Sequence, residues 1–198
     1  MTYRIGYLVG SLSTRSINRT LARALVRLAP DDLTFTEIPI AELPLYNRDL
    51  DEAYPPAAVA LKRSIEEADG LLIVSPEYDR SIPAALKNAI EWASRPWGHN
   101  SFARKPTAII GASTGSIGTA VMQSSMRSVL SFLDAPQLNA PEAYVTFRPE
   151  SYGPDGEVLD EKTRAFLTHF MAEYCGFVQR VLAINAPGHI GDLGATTS

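Results

Sequence analysis

Residues 3–18 read YRIGYLVGSLSTRSIN, and residues 19–28 continue as RTLARALVRL. Tyr3 to Val9 is a short apolar run closed by a turn, which reads as a buried strand. From Ser16 onward Ile17, Leu21, Leu25 and Leu28 recur at helical spacing. Between the two lies GSLSTRSIN, residues 10–18, with a glycine, four hydroxyl side chains, an arginine and an asparagine. A strand that feeds a helix through a loop so rich in small donors is the start of an α/β protein that holds an anion.

The alternation continues along the chain. Thr34 to Ile38 alternates as a strand does. Residues 55–68 form a helix. Gly70 to Val74, GLLIV, is a second buried strand. Residues 83–92 form a helix with Pro83 at its start, a favoured place for proline. Thr107 to Ile110 is a strand. Ile117, Val121, Met122, Val129, Leu130 and Leu133 mark a long helix, and residues 138–147 hold a fifth strand. Leu159, Phe166, Phe170, Phe177 and Val181 mark the last helix. Alternating elements with apolar strands imply a parallel sheet covered by helices on both faces. Right-handed crossovers leave few topologies, and five strands fit the flavodoxin-like order 2-1-3-4-5. No repeat or low-complexity linker divides the chain. The expected organisation is one domain over residues 1–184 and a loose tail, rich in Gly, Ala and Thr, over residues 185–198.

The 198 residues suffice for one sizeable core, and the formal net charge of −4 argues against nucleic acid or an anionic membrane as partner. Cys175 is the only cysteine, so no internal disulfide forms, and its place in an amphipathic run reads as a small buried thiol. The N-terminus has no signal-peptide pattern and no apolar run reaches membrane-spanning length. The expected location is cytoplasmic. Three scattered histidines and one cysteine make no metal-ligand cluster.

In the 2-1-3-4-5 order the loops after strands 1, 3 and 4 meet at one edge, where open α/β sheets bind ligands. In the first loop, Ser11, Ser13, Thr14, Ser16 and Asn18 offer short donors, Arg15 offers charge, and the helix start offers free N–H groups. The glycines of a dinucleotide fingerprint and the G-K-S/T of a Walker loop are absent. A terminal monophosphate fits this loop better than a pyrophosphate. Glu37, at the end of strand 2, could mimic a ribose-binding acid, but without the glycines it reads as a surface residue. The loop after strand 3 is SPEYDRSIP, residues 75–83. Pro76 and Pro83 stiffen it, and Tyr78 with neighbouring N–H groups can flank a planar heterocycle. The loop after strand 4 is GASTGSIG, residues 111–118, whose glycines let the main chain approach a ligand.

GASTG also matches G-x-S-x-G, the nucleophile elbow of α/β-hydrolases. In that reading Ser113 is a nucleophile, with Asp134, Asp155 or Asp160 and His169 or His189 downstream. His169 falls in the last helix and His189 in the tail, so neither is placed as a fixed general base. The elbow also leaves the other two loops unexplained.

Taken together, the motifs resemble the NADPH-dependent FMN reductase family, which includes quinone and chromate reductases of flavodoxin-like fold. The family's G-S-x-R-x-x-S-x-N loop is matched by residues 10–18. Its P-E-Y-N followed by L-K-N-A-I-[DE]-W is matched by PEYD and by LKNAIEW, residues 86–92. SRP at 94–96, KP at 105–106 and GASTGSIG match as well. The similarity extends from Tyr3 to about Leu182. It implies FMN bound at the sheet edge, with Ser11, Ser13, Ser16 and Asn18 on its phosphate. Pro76, Glu77, Tyr78 and Asp79 would border the isoalloxazine ring, and Ser113 would complete the ring pocket. Ser13 stands where the family often has Arg, and Arg15 is the candidate for the missing charge. Asp79 stands where Asn is usual; an ionised carboxylate near the ring would disfavour an anionic reduced flavin.

The resemblance further implies that NADH or NADPH delivers hydride to flavin N5 and that a small acceptor then takes the electrons, with no catalytic acid or base required of the protein for the first half. Arg80 is a candidate for a phosphate of the nicotinamide cofactor. Trp97 is a candidate for the acceptor mouth; His99 could line it too but reads rather as a surface residue. Similar proteins are homodimers or homotetramers, with residues 92–100 near the interface. The alternatives are a flavodoxin-like electron carrier, which tends to be more acidic than this chain, and the serine hydrolase.

Overall fold

Every residue of the GLLIV strand is buried, so side chains of both parities must find apolar cover. The computed structural model, which describes residues 1–185, supplies that cover with helices on both faces. The elements are β1 (Tyr3–Val9), α1 (Ile17–Leu28), β2 (Leu33–Glu37), α2 (Pro56–Glu67), β3 (Gly70–Val74), α3 (Ala84–Ala93), β4 (Thr107–Ser113), α4 (Ala120–Phe132), β5 (Tyr144–Thr146) and α5 (Glu161–Asn185). The strands form one sheet in the order β2-β1-β3-β4-β5, all parallel. This is the flavodoxin-like fold.

The alternation of side chains in β3 divides the interior into two. Leu72 and Val74 join Leu21 and Leu25 of α1 and Phe170 and Tyr174 of α5. Leu71 and Ile73 face the other way, toward Leu61 of α2, Trp92 of α3 and Met122 and Met126 of α4. Each such side chain, fully buried, contributes about 1.5–3 kcal/mol. Polar ties cross the layers. The Tyr174 hydroxyl donates to the Leu71 carbonyl at 2.8 Å. Lys62 of α2 donates to the Ala93 carbonyl at the end of α3 and to the His99 carbonyl. Burial pulls the Lys62 ammonium below the usual lysine range. Trp92, with its Nε1 donating to the Pro44 carbonyl, belongs to the core. Cys175 is a buried free thiol, and burial pushes its pKa up.

The structure corrects three sequence boundaries. The fifth strand is only Tyr144–Thr146. Its expected start is instead a bridge from Gln137 to Thr107 at the foot of β4, and the chain then leaves the sheet through Pro141, which can donate no ladder bond. Strand β4 runs on to Ser113, because its last three residues pair with β5. Helix α4 starts at Ala120 rather than Ile117, because Gly118 has φ +58° and turns the chain first. The last helix extends to Asn185, and the expected tail lies outside the described residues.

Gly111 is where β3, β4 and the start of α4 come closest. A Cβ there would collide with the Ser75 carbonyl oxygen and with Thr119 Oγ1. One contact is backbone, so the strands must part to admit a methyl group. Gly111→Ala is expected to lower unfolding stability by about 2–3 kcal/mol, read as a lower urea midpoint with an unchanged denaturant slope.

Candidate active site

The carboxyl ends of β1, β3 and β4 meet at one edge of the sheet. The first loop is organised by its own hydroxyls. Ser11 Oγ accepts from the Ser13 amide at 3.4 Å, and Ser13 Oγ accepts from the Arg15 amide at 3.3 Å. Ser16 is the N-cap of α1, its Oγ accepting from the Arg19 amide at 3.3 Å. The first turn of α1 holds no acidic side chain, so its positive end is uncompensated. The amides of Ile17 and Asn18 open the helix and have no intrahelical acceptor. Ser11 is buried, whereas Ser13, Thr14 and Arg15 are exposed beside this helix end.

Asn18 departs from its expected role. It is 1 % exposed, its Nδ2 donates to the Ala112 carbonyl at 2.9 Å, and its Oδ1 accepts from the Ala112 amide at 2.8 Å. These contacts lie beyond Val74–Ile110, the last register pair between β3 and β4. The side chain therefore continues the β4 ladder where β3 has turned away. It braces the loop after β1 against β4, and its carboxamide faces backbone rather than the loop's outer rim.

The loop after β3 folds back on itself. The Tyr78 amide donates to the Ser81 carbonyl at 3.2 Å and the Ser81 amide to the Tyr78 carbonyl at 2.8 Å. Asp79 and Arg80 between them have φ of 49° and 59°. That is a type I′ turn, which aspartate tolerates and which costs an arginine about 1–2 kcal/mol. The turn is held at both ends. The Tyr78 hydroxyl and Ser11 Oγ lie 3.2 Å apart, linking this loop to the first. On the other side Glu77 reaches α4, where its Oε2 accepts from the amides of Val121 and Met122, both at 3.0 Å. Thr119, the N-cap residue of α4, makes no side-chain cap bond, so Glu77 does the capping from another loop. Its Oε1 accepts from Arg80 at 3.0 Å, and the Glu77 side chain is only 7 % exposed. Pro76 is buried and its carbonyl accepts from Ser75 Oγ.

The loop after β4 completes the edge. Ser113 Oγ donates to the Gly118 carbonyl at 2.7 Å and accepts from the Gly115 amide at 3.2 Å. Between the two loops opens a cavity of about 390 Å³, lined by Glu77, Asp79, Arg80, Ser113 and residues 115–118. Of the residues expected at a ring, Glu77, Asp79 and Ser113 line this cavity. Pro76 and Tyr78 do not: one lies under the loop and the other faces Ser11. The glycines of GASTGSIG marked this rim; Ile117, read from its spacing as part of the following helix, lies in the loop instead and lines the cavity with Ser116. Glu77 as a helix cap was also illegible, since its partners lie 44 and 45 residues away.

Other expectations resolve by geometry. Glu37 pairs with Arg19 at 2.8 Å and accepts from the Tyr7 hydroxyl at 3.3 Å, which together with burial pushes the Tyr7 phenol up. Trp97 stacks with Arg95 and lines a different cavity, of about 550 Å³, with Tyr46 and Arg48. His99 lines a third with Tyr54 and Lys62. Neither reaches the cavity at the sheet edge. Of the three, only the cavity of about 390 Å³ opens at the sheet edge where the crossovers reverse.

The hydrolase alternative fails on the same geometry. Ser113 belongs to β4, and six residues separate it from α4, so there is no sharp strand-to-helix elbow. Its hydroxyl is engaged by loop backbone, and no histidine is among its hydrogen-bond partners. His169 stands exposed on α5, and His189 lies outside the described residues.

Replacing Glu77 by Ala removes two charge-assisted bonds, one of them part-buried, and uncovers the positive end of α4. The variant is expected to lose about 2 kcal/mol of unfolding stability. Faster amide exchange at Val121 and Met122 than elsewhere in α4 would assign the loss to the cap.

A family model described as NADPH-dependent FMN reductase matches residues 3–150. A 2-hydroxy-1,4-benzoquinone reductase of Burkholderia sp is 47 % identical over 90 % of this chain and 98 % of that protein. A quinone reductase of Pseudomonas putida is 40 % identical over 89 % of this chain and 95 % of its own. Among solved structures, FerB, a flavoenzyme NAD(P)H:(acceptor) oxidoreductase from Paracoccus denitrificans, superposes with a TM-score of 0.88 at 40 % identity, covering 90 % of this chain and 98 % of that one.

Proposed function

The chain belongs to the NADPH-dependent FMN reductase family, and on that premise we propose that it oxidises NADH or NADPH and reduces a quinone, a flavin or a similar small acceptor. The observation that carries the site assignment is the pairing of two features on one edge. An uncompensated helix start is ringed by serines, and beside it lies a cavity of about 390 Å³ walled by backbone turns. The first suits a terminal phosphate and the second a planar ring, and a cavity of this size falls in the range of small-ligand sites.

FMN bound there supplies the redox chemistry: NAD(P)H, a quinone and a proton become NAD(P)+ and a hydroquinone, two electrons passing in each half. The protein's part is to seat and shield. Ser11, Ser13, Ser16 and the amides opening α1 would hold the phosphate, with Arg15 supplying the charge that Ser13 does not. Asn18 would act behind them by fixing the loop to β4. The turn at 78–81 and the loop at 113–118 would flank the ring, held at a fixed separation by Glu77. Tyr78 would close the passage between ring and phosphate through its contact with Ser11.

The reductase reading is favoured over the electron carrier because the close relatives are named as enzymes. We place the activity in one domain, residues 1–184, in the cytoplasm; no helix among the described residues is long and apolar enough to cross a membrane. We also propose a homodimer or homotetramer. Leu45 and Trp97, 82 % and 78 % exposed, are the apolar side chains that such an interface would cover.

FMN-loaded protein mixed anaerobically with NADPH is expected to lose its visible flavin band and regain it on adding a quinone; a band that persists would refute the reductase. The phosphate assignment has its own check. Arg15→Ala is expected to weaken FMN about tenfold and riboflavin far less, as loss of one charge-assisted contact requires. Fluorescence titration with both flavins reads the difference, and equal weakening would remove Arg15 from the phosphate.

A further inference from the structure

The cavity at the sheet edge is lined by three ionisable side chains, Glu77, Asp79 and Arg80, and they are not equivalent. Glu77 is compensated twice over, by the N–H groups opening α4 and by the Arg80 guanidinium 3.0 Å away. The ion pair balances the Arg80 charge, and the second Glu77 oxygen satisfies two N–H groups at the start of α4, so the three ionisable side chains together carry the single net negative charge of Asp79. Asp79 is exposed, and among the described residues it makes no hydrogen bond or ion pair. Its neighbour's guanidinium is turned to Glu77 instead.

Asp79 is also held in place. It is the first central residue of the type I′ turn, with φ 49°, and the turn is anchored on one side by Glu77 and on the other by the contact between Tyr78 and Ser11. The turn therefore fixes the backbone from which the carboxylate projects, so the charge stays at the rim of the cavity. A single uncancelled charge at the mouth of a partly desolvated cavity acts on whatever enters, and more strongly at low ionic strength.

We propose that Asp79 selects acceptors by charge: its unpaired carboxylate on the rim of the cavity disfavours anionic acceptors and leaves neutral ones, such as unsubstituted quinones, as the preferred class. This rests on the reading that the cavity receives the flavin ring and the acceptor. The reaction itself is unchanged. A neutral quinone takes up two electrons and two protons, whereas a sulfonated one must bring its negative charge past the rim first.

The test compares wild type with Asp79→Asn, a substitution that keeps the size of the side chain and is well suited to positive φ. Both proteins are loaded with FMN and bleached anaerobically with NADPH before anything else is measured. Failure of the wild type to hold FMN or to bleach overturns the reading of the site, and the charge filter with it. With bleaching secured, two readouts decide the filter.

The ratio of kcat/KM for 1,2-naphthoquinone-4-sulfonate to that for 1,2-naphthoquinone is expected to rise about three- to tenfold in the variant at low ionic strength. Added salt should raise this ratio in the wild type and leave it nearly flat in the variant. Calorimetric titration of the FMN-loaded, oxidised proteins with naphthalene-2-sulfonate is expected to show tighter binding to the variant by a similar factor. An unchanged acceptor ratio together with equal sulfonate affinity, or with no sulfonate binding to either protein, overturns the proposal while leaving the reductase intact.

Discussion

A parallel sheet wound outward from its middle in both directions must leave a crevice where the winding reverses. Here the chain leaves β1 toward β2 on one side and returns to β3 on the other. The helices that follow β1 and β3 must then lie on opposite faces, and their loops separate above the sheet. Everything distinctive about this protein occupies that gap. The hydroxyl loop before α1 forms one wall, the turn after β3 stands opposite, and the loop after β4 closes the side.

A crevice alone binds nothing unless its walls keep their spacing. Polar side chains tie the three loops together. Asn18 joins the first loop to β4 through both backbone groups of Ala112. Tyr78 touches Ser11. Glu77 joins the turn after β3 to the start of α4. The Asn18 bonds are buried and the Tyr78 and Met122 contacts part-buried, and leaving a buried partner unsatisfied costs about 1–3 kcal/mol. The loops are therefore locked by the penalty of unpairing them. The same ties explain why an arginine is tolerated at a positive φ in the turn at 78–81: its guanidinium is held by Glu77, which offsets part of the backbone strain.

The electrostatics follow from the same assignments. The start of α1 keeps its positive end for an anion, because no acid lies in its first turn. The start of α4 is answered internally by Glu77. Two helix ends on one edge of the sheet thus differ in what they can accept, and only the first remains open to a phosphate. The charge left over on the rim is that of Asp79, next to a neutralised pair.

Strand order, helix placement and the three converging loops were all legible in the sequence. They depend on periodicity and on local turn residues: GLLIV can only be a strand covered on both faces, and Ile17, Leu21, Leu25 and Leu28 can only line one side of a helix. The serines beside an uncompensated helix start were legible for the same reason, since a helix start and the loop before it are neighbours along the chain. Tertiary structure alone decided which of those residues stay exposed at the sheet edge and which turn into the protein. The Asn18 carboxamide, one of the loop's donors by sequence, meets Ala112, 94 residues away, and Glu77, a ring contact by sequence, is a helix cap only because α4 packs against it. Spacing along a chain reports which groups share an element's face, but a hydrogen bond across the sheet edge is set by how the elements pack, and no local pattern encodes it.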